Sequence, residues 1–202
     1  MDGLRERRRR ETEIAIETAA VEIARTEGVG AVTVERVCTA VGVSRSTFFN
    51  YYPSLEQAIF GRPLVFDSDR ARAVLETYGH DLPLAASALV IEEVRGGYAG
   101  GELLQNRLDL FIREPAITGN VSWGSPTSRS RLVQLLTSWL DEHPELARLG
   151  PDAHEREARL AVGIAIVVGE EAMRRWRGSG ADFALNTAGF AQARAELSAI
   201  LG

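Results

Sequence analysis

The chain has 202 residues, of which 45% are hydrophobic and 25% are charged, and its formal net charge is −5 at pH 7. These values are ordinary for a globular protein and exclude a disordered chain, and the negative net charge gives no indication of nucleic-acid binding. The single cysteine, Cys38, excludes an internal disulfide and a cysteine-based zinc site. Its apolar neighbours predict a small residue in the core.

No segment of the sequence is suited to a membrane. The longest apolar run, Leu160–Val168, is far shorter than the roughly 20 residues that a membrane span requires. A cluster of arginines, Arg5 and Arg7–Arg10, is followed by glutamates and not by the apolar stretch of a signal peptide. We therefore expect a soluble, cytoplasmic protein with no membrane partner. The arginine cluster itself predicts either a solvated, partly disordered arm or an arm that binds phosphates.

Helical periodicity dominates the sequence, and no clean alternation indicates strands. The first helix is predicted from about Arg8 to Glu27, and its apolar stripe consists of Ile16, Ala19, Ala20 and Ile23. A second, short helix is predicted between a capping Thr33 and Gly42. A third helix runs from Arg45 to about Tyr52, between a capping Ser44 and Pro53.

The remaining three quarters of the chain also follow a helical pattern. We predict further helical segments at Ser54 to before Pro63, Val65–Asp81, Pro83 to the glycines at Gly96–Gly101, Leu103–Arg113, Arg129–His143, about Ala153–Arg177, and from a capping Asp182 onward. The segment Asn120–Ser128 reads as a loop. The glycines at Gly96–Gly101 follow no strand and lack the spacing of a phosphate-binding loop, so they predict a helix break.

These elements predict an all-α fold with two domains. Residues 1–53 would form a domain of three helices, and residues 54–202 a second, larger helical domain. In the last two helices, small residues allow close helix approach, namely Ala161, Gly163, Ala165 and Gly169. Phe183, Phe190 and Leu197 recur at seven-residue spacing and predict a seam with a second copy of the chain. The alternative is that both helices cover only the core of their own subunit.

The first three helices have the spacing of a helix-turn-helix. In that motif the second helix braces the third, which enters the major groove of DNA with its N-terminal residues against base edges. The groove-facing side chains would be those of Arg45, Ser46, Thr47, Asn50 and Tyr51. Val43 and Phe48 would pack against the brace. Such polar side chains on a short helix are otherwise simply a solvated face.

Two stretches, Thr33–Cys38 and Gly42–Ser54, resemble the DNA-binding domain of TetR-family regulators. The resemblance implies that Thr33 and Arg36 hold phosphates. It also implies that the DNA-contacting set is completed by Ser44, Arg45, Ser46, Thr47, Phe49, Asn50 and Tyr51. Arg45 is the candidate for reading a guanine, a contact that discriminates by about 1–3 kcal/mol.

Two positions depart from the family pattern. Phe49 stands where the family often has Tyr, so a hydrogen bond to phosphate is lost. Leu55 stands where the family usually has a Lys that donates to a phosphate. We therefore expect weaker general affinity for DNA than the family norm, with the arginine cluster as compensation.

The resemblance also implies a hydrophobic small-molecule effector, bound between the middle helices of the second domain. The candidate ligand-binding residues are Tyr98, Arg107, Phe111, Trp123 and Trp139, although a place in the core is the favoured explanation for any single one of these aromatics. The strings Thr47–Tyr52 and Leu108–Ala116 are similar to a family branch that takes acyl-CoA-like ligands.

The sequence thus predicts a repressor that binds double-stranded DNA at a palindromic operator as a homodimer and is released by ligand. The alternatives are an activator of the same fold and a helical small-molecule-binding protein without DNA binding. An enzyme is not expected, because His80, His143 and His154 are isolated and no hydrolase or metalloprotease motif is present. No cofactor and no metal site are predicted.

Overall fold

A computed structural model describes residues 2–66, 69–97, 101–113, 124–176 and 186–202. Within these ranges the regular structure is entirely helical, which confirms the all-α class. The ten α-helices are α1 (Asp2–Glu27), α2 (Val34–Val41), α3 (Arg45–Tyr51), α4 (Leu55–Phe60), α5 (Asp69–Tyr78), α6 (Leu82–Gly97), α7 (Gly101–Arg113), α8 (Pro126–Glu142), α9 (His154–Trp176) and α10 (Thr187–Leu201). None of these helices is both long and apolar enough to cross a membrane.

The helices form two compact units. Unit 1 contains α1–α4 together with α7, which comes from much later in the chain. Unit 2 contains α5, α6, α8, α9 and α10. The boundary predicted between residues 53 and 54 divides the chain by function, and it stays a prediction.

The core of unit 1 forms around the apolar stripe of α1. Ile16 and Ala20 are completely buried, as the periodicity predicts, and Ala19 and Ile23 lie half-buried beside them. Helices α2, α4 and α7 all pack on α1. Phe48 of α3 is also fully buried and anchors that helix to the same core.

Unit 2 is built around α9, which packs against α6, α8 and α10. Phe190 of α10 lies in an apolar cluster with Val168 and Ala193. Gly79, just after α5, lies so close to Trp139 of α8 that only glycine fits there, because an added Cβ would clash with the indole Nε1.

Several helix boundaries differ from the sequence predictions. Helix α1 begins at Asp2 and not at Arg8, so the arginine cluster is helical instead of being a disordered arm. Residues 61–66 are irregular, and α5 begins only at Asp69. Helix α8 begins at Pro126 within the predicted loop, because proline needs no hydrogen-bond acceptor in a first helical turn.

The end of the chain requires two corrections. Helix α10 is capped by Asn186, whose side chain accepts a hydrogen bond of 2.9 Å from the Gly189 amide, and not by Asp182. Asp182 and Phe183 lie outside the described residues. The predicted seam is wrong at Phe190, which is only 2% exposed and packs against residues of its own chain. Seven-residue spacing identifies an apolar face but does not tell which neighbour covers it.

Candidate nucleic-acid interface

Helices α2 and α3 are joined by a tight turn that glycine makes possible. Gly42 adopts a left-handed conformation with φ of 74°, and its amide donates to the carbonyl of Cys38 at 2.9 Å. The amide of Val43 donates to the same carbonyl at 3.0 Å. These bonds satisfy the last turn of α2 and reverse the chain within two residues, as a helix-turn-helix requires.

Each short helix begins with the side-chain cap that the sequence predicts. Thr33 accepts a hydrogen bond of 3.2 Å from the Arg36 amide, and Ser44 accepts one of 3.0 Å from the Thr47 amide. The Ser44 hydroxyl also lies 2.8 Å from the hydroxyls of both Ser46 and Thr47. Three hydroxyl groups are therefore gathered at the N-terminus of α3, where the helix dipole favours a phosphate.

The outer face of α3 carries most of the predicted DNA-contacting side chains. Arg45, Ser46, Phe49 and Asn50 are exposed, and Thr47 and Tyr51 are half-buried. Their individual roles toward DNA stay predictions.

Both arginines of the predicted DNA-contacting set already have carboxylate partners. Arg45 forms an ion pair with Glu35 of α2, and its guanidinium carbon lies 5.4 Å from the centre of the Phe49 ring. Arg36 pairs with Glu27 at 2.5 Å and donates to the Ala31 carbonyl at 3.0 Å. The hydrogen-bonded pair lowers the pKa of Glu27 and raises the pKa of Arg36. Arg36 therefore ties α2 to the end of α1, and either arginine must share or leave its partner to bind a phosphate.

A buried network that sequence reasoning missed holds the C-terminal end of α3. Arg107 of α7 is 1% exposed and donates to the carbonyls of Ile59 at 2.7 Å and Ala58 at 2.8 Å. It also lies 3.3 Å from a carboxylate oxygen of Glu17, which accepts a hydrogen bond of 2.7 Å from the Tyr52 hydroxyl. Burial, and next the negative charge of Glu17, raise the pKa of Tyr52, so its hydroxyl stays a donor.

A second arginine acts at the same end of α3. Arg62 donates to the Tyr51 carbonyl at 2.8 Å and forms an ion pair of 2.7 Å with Glu13 of α1. Its guanidinium also lies 5.0 Å from the centre of the Tyr52 ring. Because the last carbonyls of a helix have no partner within the helix, Arg62 and Arg107 supply the donors that α3 and α4 lack. We call Arg62, Arg107, Glu13, Glu17 and Tyr52 the arginine clamp.

The predicted effector residues are not gathered in one unit. Arg107 belongs to unit 1 and Trp139 to unit 2. The side chains of Tyr98, Phe111 and Trp123 lie outside the described residues. The Trp139 ring lies 4.0 Å from that of His143, and its buried indole nitrogen has no hydrogen-bond partner among the residues that the structure describes. The ligand-binding role of all five residues stays a prediction.

A capped brace helix, a glycine turn and a second capped helix with an exposed polar face define a helix-turn-helix DNA-binding domain. Residues 16–57, from the middle of α1 into α4, match the family model described as bacterial regulatory proteins, tetR family. The chain thus carries a TetR-family DNA-binding domain and is a DNA-binding transcriptional regulator. No curated protein matches the chain.

Proposed function

We propose that the protein is a repressor that binds a palindromic operator as a homodimer and releases it when a hydrophobic small molecule binds. The proposal rests on how α3 is divided between a buried face and an exposed face. Phe48 fixes one face of this helix in the core, while Arg45, Ser46 and Asn50 are exposed on another. A recognition helix has this division, because it must be rigidly held and yet present hydrogen-bonding groups to base edges. Such a regulator would act in the cytoplasm, where the DNA lies.

An apolar stripe on α9 supports the dimer. Leu160, Ile164 and Val167 are 55%, 37% and 56% exposed, and their spacing of four and three residues brings them onto one face of the helix. Ile200 and Leu201 near the end of α10 are also exposed. Large apolar side chains grouped in this way are unfavourable in water, and a second copy of the chain would cover them.

A two-fold dimer gives the operator its form. Two copies of α3 enter successive major grooves on one side of DNA when the half-sites are roughly 34–36 Å apart. A ligand that favours another separation lowers DNA affinity, because the two binding equilibria are linked. The effector must therefore bind the two arrangements unequally.

The effector is proposed to be hydrophobic and to bind within residues 54–202. The indole nitrogen of Trp139, which is buried and has no acceptor within the described ranges, supports a polar contact there, since a buried donor gains free energy from any acceptor that reaches it. Its packing beside Gly79 and His143 equally suits a residue of the core. An acyl-CoA-like ligand stays a prediction of the resemblance.

The decisive experiment selects genomic DNA fragments with the purified protein and then titrates the best fragment by fluorescence anisotropy. We expect an inverted repeat and a loss of binding in Arg45→Ala. Arg159→Ala is the matched control, because Arg159 is similarly exposed, at 61% against 64%, and also has a glutamate partner, but lies on α9.

The selection is repeated with protein that has been unfolded and refolded to remove any bound ligand. If neither the untreated nor the refolded protein enriches a DNA sequence, the proposal that this protein regulates transcription by binding DNA is overturned. An inverted repeat whose binding is unaffected by Arg45→Ala would overturn the assignment of α3 as the recognition helix.

A further inference from the structure

A groove lies beside α3, the proposed recognition helix. It has a volume of about 880 Å³ and is lined by Arg5, Glu6, Arg8, Arg9 and Thr12 of α1 and by Tyr51 of α3. Tyr51 belongs to the predicted DNA-contacting set, so the groove continues the face that α3 presents. The first three turns of α1 and the end of the recognition helix therefore border the same space.

The groove divides the arginine cluster into two groups. Arg5, Arg8 and Arg9 line it, whereas Arg7 and Arg10 do not. This division follows from the helical repeat, since successive residues are about 100° apart around the helix axis. The groove-lining arginines fall on the same side of α1 as Ile16, the buried residue that anchors the helix further along.

Among the described residues, the groove-lining arginines are free of the ion pairs that would compete with a phosphate. Arg7 forms an ion pair of 3.5 Å with Glu11 on the other side of α1. Within the described part of the chain, Arg5, Arg8 and Arg9 have no carboxylate within ion-pair distance, and all three are exposed. Glu13, further along α1, is occupied by Arg62. Glu6 is the one carboxylate among the groove-lining residues named above, so three positive charges outweigh one negative charge.

The length of α1 determines where these charges lie. At a rise of about 1.5 Å per residue, the stretch from Ile16 to Arg5 extends roughly 16 Å along the helix. That length is comparable with the width of the major groove, about 12 Å, that α3 would enter. Because these arginines border the same space as Tyr51 of α3, they lie where the sugar-phosphate backbone beside the major groove would pass, and guanidinium groups suit phosphates well.

We propose that Arg5, Arg8 and Arg9 bind backbone phosphates of the DNA that flanks each half-site, with Tyr51 completing the site at its inner edge. The inference rests on the proposed binding of α3 in the major groove and adds a second contact to it. These contacts carry no base information, so they raise affinity for specific and non-specific DNA alike. They supply the phosphate contact that Leu55 at the start of α4 does not make.

The test compares two double variants with the same change in net charge. Arg8→Gln with Arg9→Gln removes groove-lining charges, and Arg7→Gln with Arg10→Gln removes charges from other faces of α1. Glutamine keeps a helix propensity close to that of arginine. Each protein is titrated by anisotropy against the selected operator over a series of salt concentrations.

Each phosphate contact contributes roughly 0.9 to the slope of log binding constant against log salt concentration. We therefore expect the groove-lining variant, which lacks two such contacts, to lose about 1.8 units of this slope per subunit and about 3.6 units for a dimer. The Arg7 and Arg10 variant should change the slope by less than half as much. Arg8→Lys with Arg9→Lys should restore most of the slope, which separates a lost charge from a disturbed helix.

A trimmed duplex identifies the phosphates. When the base pairs outside the half-sites are removed, the wild-type slope should fall at least as far as that of the groove-lining variant, which still has Arg5. Equal slopes for the two glutamine variants, or a wild-type slope unchanged by trimming, would overturn the flanking contact while leaving recognition by α3 intact. A wild-type protein that selects no DNA sequence would overturn the proposed function and this inference together.

Discussion

Replacing Arg107 with methionine tests the arginine clamp most directly. Methionine keeps the apolar stem of the side chain but removes the guanidinium. The carbonyls of Ile59 and Ala58 then lose their donors, and the carboxylate of Glu17, of which only 15% is exposed, loses its cation. Removing one partner of a buried ion pair typically costs about 3–5 kcal/mol, because the other charge remains buried without compensation.

This cost is a large part of the roughly 5–15 kcal/mol by which a folded domain is stable. For a chain of this size, roughly 2–4 °C of melting temperature corresponds to 1 kcal/mol, so Arg107→Met should melt about 6–20 °C lower than wild type. The assay is thermal unfolding followed by circular dichroism at one fixed protein concentration. Urea unfolding of the same samples gives the free energy directly.

Two further proteins control the experiment. Arg95→Met removes an arginine that is 51% exposed and whose ion-pair partner among the described residues is Glu92 in the preceding turn, so its effect should be within about 0.5 kcal/mol. In a double mutant with Glu17→Gln, the loss should be smaller than the sum of the single losses, because the uncompensated charge is gone. A melting temperature for Arg107→Met as close to wild type as that of Arg95→Met would refute the reasoning.

Three other substitutions test separate parts of the structure. Leu55→Lys should tighten DNA binding and steepen the log–log salt slope by about 0.9 per subunit, whereas an unchanged slope in anisotropy titrations would show that no phosphate lies near α4. Leu160→Glu with Val167→Glu should convert the dimer to a monomer in sedimentation-velocity experiments, and a persistent dimer would require another interface. Tyr52→Phe removes a hydrogen bond to a carboxylate, which should cost about 1.5–3 kcal/mol near pH 8 in urea unfolding. Because burial and Glu17 raise the pKa of Tyr52 in the folded state, its stabilisation is complete below the unfolded pKa of about 10 and declines above it, so the gap between wild type and Tyr52→Phe should narrow at higher pH. A gap that is constant with pH would contradict that shift.

The helix-turn-helix could be predicted from the sequence because local rules determine it. The caps at Thr33 and Ser44 depend on hydrogen bonds to amides three residues away. The turn depends on the ability of Gly42 to adopt positive φ. The burial of Ile16 and Ala20 follows from the periodicity of one helix. Each of these signals is contained within a few consecutive residues, so no knowledge of tertiary structure was needed.

The arginine clamp could not be predicted in the same way. Arg107 lies 48 residues from Ile59, and its main acceptors are backbone carbonyls, which have no sequence signature. The ion pair between Glu35 and Arg45 is similarly a property of how α2 meets α3. The apolar faces of α9 and α10 show a different limit: Phe190 and Leu160 both fit an apolar repeat, yet one is 2% exposed and the other 55%. Hydrophobicity predicts that a side chain will be covered, and only tertiary structure shows by what.

The two separate segments of chain that form unit 1 determine which fragments of this protein can fold. Its chain is discontinuous, because α7 returns to pack on α1 after the chain has built part of unit 2. A fragment cut after residue 63, which would retain the whole family match, would lack Arg107 and leave the end of α4 without its donors. A fusion protein that borrows this DNA-binding unit would therefore need α7 grafted back as a separate segment. The family match at residues 16–57 therefore does not mark a segment that contains its complete hydrophobic core.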